Sequence, residues 1–160
     1  MKSSQSSGYL LAPVSGVAVP LSDLPDPAFS EGMLGDGVAI DPEDGRFCSP
    51  CKGKVVGITD TAHAYNLLSE DGLELLLHIG IDTVELKGRG FSPKVKTGDS
   101  VEAGDLLAEV DLAVLREGGY STLTPLILVN GEAANIRDKA QGRVQCGIDA
   151  LLRYELSKKE

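Results

Sequence analysis

Thr61-Ala62-His63-Ala64-Tyr65-Asn66-Leu67-Leu68 runs through Ser69-Glu70-Asp71-Gly72 into Leu73-Glu74-Leu75-Leu76-Leu77-His78-Ile79, and this stretch indicates the fold. Two apolar runs joined by a polar loop with Asp-Gly are typical of an antiparallel β-hairpin. A turn centred between Glu70 and Asp71 places His63 directly opposite His78. A turn centred on Asp71-Gly72 makes them diagonal neighbours. Either register predicts both imidazoles on one face, with Cβ atoms roughly 5–8 Å apart.

Short apolar runs separated by turn residues continue along most of the chain. Evenly spaced short strands favour an all-β, antiparallel sandwich or barrel. The predicted strands are residues 10–19, 37–40, 53–59, 64–68, 73–79, 106–110, 124–129 and 151–156, the last of which fits a helix equally well. Short helices are predicted over residues 24–29 and 112–117.

Two internal echoes indicate repeated strand-turn units. A Pro-x-x-Gly-x-x-Val frame begins at Pro13 and again at Pro50, and Val-x-x-Gly-Asp begins at Val95 and at Val101. A phosphate-binding glycine loop would need a following Lys-Ser/Thr and a helix, which neither echo has. The echoes therefore favour a quasi-symmetric barrel.

Composition narrows the class of protein. The 160 residues carry a net charge of -9 and 42% hydrophobic residues, which fits one domain with a core of its own. A basic stripe for nucleic acid is missing, and the apolar runs are too short to insert into a membrane. Residues 1–8 are predicted to be a disordered tail or linker, and residues 9–160 a single domain.

The three cysteines predict no disulfide framework in a chain of this size, and a reducing cytoplasm is the expected location. Cys48-x-x-Cys51 is half of a zinc site at most, and its β context does not suit a thioredoxin-like motif. Cys146 has no close partner in sequence and is expected to be a small core residue.

A cross-strand pair of imidazoles suits phosphoryl transfer. One neutral imidazole can hold the phosphoryl group covalently while the other donates a hydrogen bond to its oxygens. Thr61, two residues before His63, is a candidate to orient that ring. Two ordinary half-buried histidines are the alternative interpretation. Two histidines are too few for a closed zinc site, although Asp82 could add a ligand.

The residues around the hairpin resemble a known family. His78-Ile79-Gly80-Ile81-Asp82-Thr83-Val84-Glu85-Leu86-Lys87-Gly88 is similar to the active-site signature of glucose-type enzyme IIA of the bacterial sugar phosphotransferase system. Further matches in family order are Ala12-Pro13-Val14-Ser15-Gly16, Gly35-Asp36-Gly37-Val38-Ala39-Ile40, Thr61-x-His63-Ala64 and Ser121-Thr122-Leu123-Thr124-Pro125. The resemblance covers the chain from about Ala12 and implies an antiparallel β-sandwich with duplicated halves.

The resemblance also implies a phosphotransferase component. His78 would accept the phosphoryl group on Nε2 from the phosphocarrier protein HPr and donate it to a cysteine of enzyme IIB. His63 would support the phosphohistidine, Thr61 would bind a histidine, and Asp82 would lie at the edge of the site. Phe29 and Leu34 would supply an apolar rim for partners.

No cofactor is expected, apart from a zinc ion shared with a partner through the two histidines. Regulated transporters or metabolic enzymes are further expected partners. The sequence does not determine which sugar is transported, because specificity lies in the membrane component; glucose, N-acetylglucosamine and β-glucosides are all compatible with it.

Three rival functions remain at this point. The same fold could act as a phosphorylation-dependent regulatory binding module. Asp138-Lys139-Ala140 suggests a lipoyl- or biotin-type carrier, but the segments flanking Lys139 do not mirror each other. A metallopeptidase would require a His-x-His motif that the sequence lacks.

Overall fold

The structure is a computed structural model that describes residues 7–157. Within that range the strands are β1 (Ser7–Leu11), β2 (Gly16–Val19), β3 (Asp36–Pro42), β4 (Arg46–Cys48), β5 (Gly53–Ile58), β6 (Ala64–Ser69), β7 (Glu74–His78), β8 (Phe91–Pro93), β9 (Ser100–Val101), β10 (Leu106–Val110), β11 (Thr124–Leu128), β12 (Ala134–Lys139), β13 (Gly142–Val144) and β14 (Ala150–Leu156). The α-helices are α1 (Pro27–Ser30) and α2 (Leu112–Glu117), and 3₁₀ turns span Leu21–Asp23, Thr83–Leu86 and Gly131–Ala133.

The described strands form three sheets, and every pairing between them is antiparallel. The large sheet has the order β13-β2-β3-β11-β7-β6-β5-β9, and the smaller ones are β1-β14-β12 and β4-β10-β8. The predicted all-β, antiparallel fold with two short helices is confirmed. Within residues 7–157, no helix is both long enough and apolar enough to cross a membrane.

The large sheet has a different apolar layer on each face. In β7, Leu75 and Leu77 are buried in the main core, while Leu76 and His78 are only partly covered. Leu76 packs against a second, smaller cluster that covers part of the opposite face, made of Leu21, Leu24, Phe29, Ala39, Ile81 and Ile127. Because side chains alternate between the two faces of a strand, His78 lies on the same face as Leu76, beside the second cluster and outside the main core.

The internal echoes are confirmed as structural repeats. Gly16 and Gly53 each begin a strand, and a Cβ atom at either would lie 2.1 Å from a carbonyl oxygen of the neighbouring strand. In the second echo, the side chains of Asp99 and Asp105 accept the backbone N–H groups of Lys96 and Glu102 at 2.9 and 2.8 Å. Close backbone approach explains the glycines of the first echo, and turn geometry explains the Gly-Asp pairs of the second.

Some predicted boundaries differ from the structure. The predicted strand over residues 10–19 is interrupted, because residues 12–15 leave the extended ladder between β1 and β2. β1 begins at Ser7, two residues before the predicted start of the domain, and residues 1–6 of the predicted tail lie outside the described residues. Residues 150–156 form a strand and not a helix.

The prediction for the cysteines is wrong in one respect. Cys48 and Cys146 form a disulfide across a sequence separation of 98 residues, and Cys51 is the free thiol. Cys146 therefore has a partner, which the fold supplies by bringing the turn before β14 against the end of β4. Lys139 forms an ion pair with Asp36 at 2.7 Å, which agrees with an ordinary surface lysine.

Candidate active site

The hairpin of β6 and β7 has a register that differs from both predicted ones. Ala64, and not His63, lies opposite His78. The reason is an odd-numbered loop: the backbone N–H of Ser69 donates to the carbonyl of Leu73 at 2.9 Å, so residues 70–72 form the loop. A shift of one residue turns a side chain to the other face of a strand. A regular continuation of β6 would therefore point His63 away from His78.

The two imidazoles nevertheless meet, because His63 lies just outside the strand. Ala62 has φ of 60°, in the left-handed region, and β6 begins only at Ala64. The carbonyl of His63 still accepts the N–H of Ile79 at 2.8 Å, which ties this bend to the end of β7. The ring centroids of His63 and His78 are 4.9 Å apart with an interplanar angle of 76°. The predicted proximity of the rings is confirmed, although the reason given for it was wrong.

His78 is oriented by the backbone that follows it. Its Nδ1 lies 2.7 Å from the carbonyl oxygen of Gly80, which can only accept, so Nδ1 carries the proton. Gly80 has φ of +77°, and a Cβ atom there would lie 2.5 Å from Thr83 and 2.9 Å from the carbonyl of Ser121. Only glycine fits this turn. The neutral ring of His78 is left with an unprotonated Nε2.

His63 is held on its Nδ1 by two hydroxyl groups. Thr61 Oγ1 lies 2.6 Å from this nitrogen, so the structure brings together the predicted Thr61 and His63. Thr59 Oγ1 lies 3.2 Å from the same nitrogen. Thr59 was not predicted from the sequence, although its spacing of two residues from Thr61 was a signal for it. His63 itself is 6% exposed.

Of the two residues predicted to form an apolar rim, only one is exposed. Phe29 is 4% exposed and packs on the imidazole of His78, with ring centroids 5.2 Å apart. Leu34 is 42% exposed, next to the end of α1. Phe29 therefore packs against the imidazole of His78, and Leu34 is the exposed residue of the two.

Burial keeps both imidazoles neutral. Burial, followed by the proximity of His78, lowers the pKa of His63 from 6.5 to about 4. Burial also lowers the pKa of His78, against the opposing effects of the Gly80 carbonyl and the carboxylates of Asp26 and Asp82. The carboxylate of Asp82 thus favours the protonated form of His78. The backbone of Asp82 is in the left-handed region, with φ of 62°. Asp26, which was not predicted from the sequence, caps α1 by accepting the N–H of Ala28 at 2.9 Å.

A metal site does not form from these groups alone. Among residues 7–157, no three His, Cys, Asp or Glu side chains are grouped as metal ligands. His63 and His78 supply two nitrogens, and zinc in proteins takes about four ligands. A zinc ion shared with a partner protein stays a prediction.

The arrangement is suited to nucleophilic chemistry at His78. Its Nε2 has a lone pair, its ring is held by Gly80 and Phe29, and a second neutral imidazole lies beside it. A neutral imidazole is a nucleophile for phosphoryl groups, and a neighbouring N–H group can stabilise the charge on their oxygens.

Comparison with known proteins identifies the family of the chain. Residues 8–134 match the model of the family described as phosphoenolpyruvate-dependent sugar phosphotransferase system, EIIA 1. The chain is 42% identical over 130 residues to the glucose-specific EIIA component of Halalkalibacterium halodurans, an alignment covering 81% of this chain and 75% of that protein. It is 44% identical over 148 residues to the glucoside-specific EIICBA component of Staphylococcus carnosus, which covers 92% of this chain. That alignment spans only 21% of the Staphylococcus protein.

A solved structure supports the same assignment. The glucose permease IIA from Mycoplasma capricolum superimposes with a TM-score of 0.88 and 36% identity, over 96% of this chain and 99% of that one. The family match covers most of the chain, and the agreement in fold extends over nearly all of it. This chain belongs to the EIIA family of the phosphoenolpyruvate-dependent sugar phosphotransferase system.

Proposed function

We propose that His78 is the residue that carries the phosphoryl group. Its Nε2 lone pair attacks the phosphorus atom presented by HPr, a P–N bond forms, and the bond to the donor atom of HPr breaks with its electron pair leaving on the donor. In the second step a cysteine thiolate of enzyme IIB attacks the same phosphorus. A P–S bond forms, and the electron pair of the P–N bond returns to Nε2 of His78.

The observation that carries this proposal is the hydrogen bond from His78 Nδ1 to the carbonyl of Gly80, at 2.7 Å. It leaves Nε2 unprotonated in the neutral ring, and burial favours the neutral ring by lowering its pKa. A nucleophile is therefore available at neutral pH without a separate general base. In His63 it is Nδ1 that faces hydroxyl groups, those of Thr61 and Thr59, and no carbonyl holds a proton on that nitrogen, so His63 is the less suitable acceptor.

We assign His63 to stabilising the transferred group. Its ring lies edge-on to His78 at 4.9 Å, close enough for its free nitrogen to reach phosphoryl oxygens on Nε2 of His78. Phosphoryl transfer depends mainly on positioning and on stabilising charge at those oxygens. A buried imidazole supplies such a donor without adding a permanent positive charge.

The two segments that bring Phe29 and Asp82 to His78 also carry exposed apolar side chains. Met33 and Leu34, just beyond α1, are 71% and 42% exposed, and Val84 in the 3₁₀ turn after Asp82 is 49% exposed. Exposed apolar side chains near a reactive group favour docking of another protein. We infer that HPr and enzyme IIB bind here in turn, in the cytoplasm, and that the sugar is chosen by the membrane component.

The test is phosphorylation with purified components. Incubation with phosphoenolpyruvate, enzyme I and HPr is expected to add one acid-labile phosphoryl group, measured by intact mass before and after mild acid. His78→Ala should abolish the adduct, whereas Lys139→Ala, a surface change, should leave it in place. A stable adduct on the His78→Ala variant would contradict the proposal.

A further inference from the structure

Thr59 has an unusual set of hydrogen bonds for a residue at the end of a strand. It follows β5, and its hydroxyl oxygen accepts the backbone N–H groups of His63 and Ala64, both at 3.1 Å. The same oxygen lies 3.2 Å from Nδ1 of His63. Thr59 therefore binds the residue after the bend through both its backbone and its ring.

The hydrogen-bonding capacity of a hydroxyl group limits what Thr59 can do. A hydroxyl has two lone pairs and one hydrogen, and here two backbone N–H donors occupy the lone pairs. Its hydrogen must point elsewhere, to Nδ1 of His63 at 3.2 Å or to the carbonyl of Ala64 at 3.5 Å. That carbonyl already accepts the N–H of Thr59 at 3.1 Å, and the imidazole nitrogen is closer. Thr59 is thus a donor to His63.

Thr61 alone does not determine the tautomer of His63. At 2.6 Å its hydroxyl could donate to an unprotonated Nδ1 or accept from a protonated one. Thr59 can only donate, because both of its lone pairs are occupied. A donor at Nδ1 excludes a proton on that nitrogen, so Thr61 must then donate as well.

We propose that Thr59 is a positioning residue that fixes His63 in the tautomer with its proton on Nε2. For its role in transfer the inference rests on the proposed function of His78. In this tautomer the ring edge away from both threonines carries an N–H group, which can donate to a phosphoryl oxygen. In the other tautomer the same edge presents a lone pair, which repels that oxygen.

The tautomer is measured directly by long-range ¹H–¹⁵N correlation spectra of the histidine side chains of the full, unphosphorylated chain at neutral pH. In the wild type, Nδ1 of His63 should have the chemical shift of an unprotonated nitrogen and Nε2 that of a protonated one. Thr59→Val should raise the share of the Nδ1-protonated form, because Thr61 is then free to accept; loss of one hydrogen bond predicts a change of about fivefold in the tautomer ratio. Thr59→Ser should restore the wild-type spectrum.

A second variant keeps the test decisive if Thr59→Val does not fold. Thr61→Val leaves Thr59 as the only hydroxyl at Nδ1, and His63 should keep its proton on Nε2. A wild-type ring protonated on Nδ1, or a switch to that form in Thr61→Val, would overturn the inference. Because these spectra need no partner protein, they stand whether or not His78 is the phosphoryl acceptor.

The kinetic consequence is tested separately. Phosphoryl donation to enzyme IIB should fall in Thr59→Val in proportion to the fraction of His63 that loses the Nε2-protonated form, as measured in the spectra, and should recover in Thr59→Ser. A changed tautomer with an unchanged donation rate would refute the role in transfer and leave the tautomer assignment intact.

Discussion

At the scale of single residues, the two histidines are held by the same atom in different ways. Nδ1 of His78 donates to the carbonyl of Gly80, and Nδ1 of His63 contacts the hydroxyls of Thr61 and Thr59. Each ring is thus anchored through Nδ1 and has Nε2 available. A carbonyl makes one Nε2 a nucleophile, and donating hydroxyls make the other a donor.

Replacing His63 by glutamine should separate the two half-reactions. Glutamine keeps an N–H donor but lacks the ring that Thr61 and Thr59 orient, so stabilisation of the phosphoryl oxygens should weaken. We expect acceptance from HPr to change little and donation to enzyme IIB to slow by about 10- to 100-fold. Rapid-quench measurement of each step checks this. Equal slowing of both steps would instead indicate a general structural defect.

The depressed imidazole pKa values predict a pH-dependent stability. In the unfolded chain His63 binds a proton near pH 6.5, but in the folded protein only near pH 4. The unfolded state therefore binds more protons between these values, and folding stability is lost as the pH falls from 6.5 toward 4. The loss from His63 is on the order of 3 kcal/mol, and His78 adds to it in the same direction.

The measurement is urea unfolding at pH 7 and pH 5 for the wild type and for His63→Gln. The variant should lose less stability between the two values, since it has one imidazole fewer to protonate on unfolding. Carboxylates titrate equally in both proteins and cancel in the comparison. An identical pH dependence in the two proteins would show that folding does not lower the pKa of His63.

The sequence could predict some of these residues and not others. His78, His63 and Thr61 were selected from the hairpin pattern, and the family resemblance added Asp82 and the choice of His78 as the acceptor; all four lie within two short motifs. Asp26 acts on His78 from α1, a distance in sequence that only packing closes. Phe29 was selected for the wrong reason, because exposure is a property of the folded surface.

At the scale of secondary-structure elements, the turn after β7 is the critical one. Gly80→Ala would force a Cβ atom into a left-handed turn that is already filled, 2.5 Å from Thr83. We expect a loss of about 2–4 kcal/mol of stability and slower phosphoryl acceptance, because the carbonyl that orients His78 would move. Thermal unfolding and the acceptance assay measure the two effects.

Gly72→Ala is the matched control for this prediction. Gly72 also has a positive φ, +97°, but a Cβ atom there would have no neighbour within 4 Å. It lies in the loop at the far end of the same hairpin. The control should cost about 1 kcal/mol and leave acceptance unchanged. Equal loss of acceptance in both variants would mean that Gly80 has no specific effect on His78.

The hairpin also shows where prediction from sequence stops. The apolar runs on either side of Asp71-Gly72 predicted two strands and a connecting loop, and the structure has β6 and β7 there. Register depends on whether two or three residues form the loop, and both choices suit this sequence. The hydrogen bond from Ser69 to Leu73 decides it, and the bend at Ala62 then returns His63 to the side of His78.

At the scale of the whole molecule, one side-chain network joins the small sheet of β1, β14 and β12 to the large sheet. The hydroxyl of Tyr154 in β14 donates to Asp71 at 2.5 Å, and Asp71 also accepts the hydroxyl of Ser69 at 2.5 Å. Gly8 in β1 passes directly over the Tyr154 ring, where a Cβ atom would lie 2.5 Å from the hydroxyl. The loop of the histidine hairpin is thereby linked through Tyr154 to β14 and to the neighbouring β1, the last and first described strands.

Tyr154→Phe should reveal the energetic weight of this link. Removing a part-buried hydroxyl bonded to a carboxylate should lower the free energy of unfolding by about 1–2 kcal/mol. Tyr120→Phe is the control, since its hydroxyl donates to the exposed Glu85 at 3.2 Å and should matter much less. Chemical denaturation compares the two variants. An equal loss of stability in the two variants would show that the hydrogen bond between Tyr154 and Asp71 does not stabilise the fold more than an exposed one does.

The overall architecture was partly accessible from sequence. Turn residues at regular intervals predicted an all-β, antiparallel fold, and the echoes at Gly16 and Gly53 predicted its repeats. The pairing of Cys48 with Cys146 was not accessible, because their proximity depends on the arrangement of distant strands. Such non-local contacts leave no local pattern in a single sequence.

The most direct test of the account is to locate the phosphoryl group on the phosphorylated wild-type chain. Phosphorylation by phosphoenolpyruvate, enzyme I and HPr, followed by ³¹P–¹⁵N NMR of the intact protein, identifies the nitrogen that is bonded to phosphorus. We expect that nitrogen to be Nε2 of His78, while His63 stays unmodified. Phosphorus on His63, or on Nδ1 of His78, would contradict the central claim.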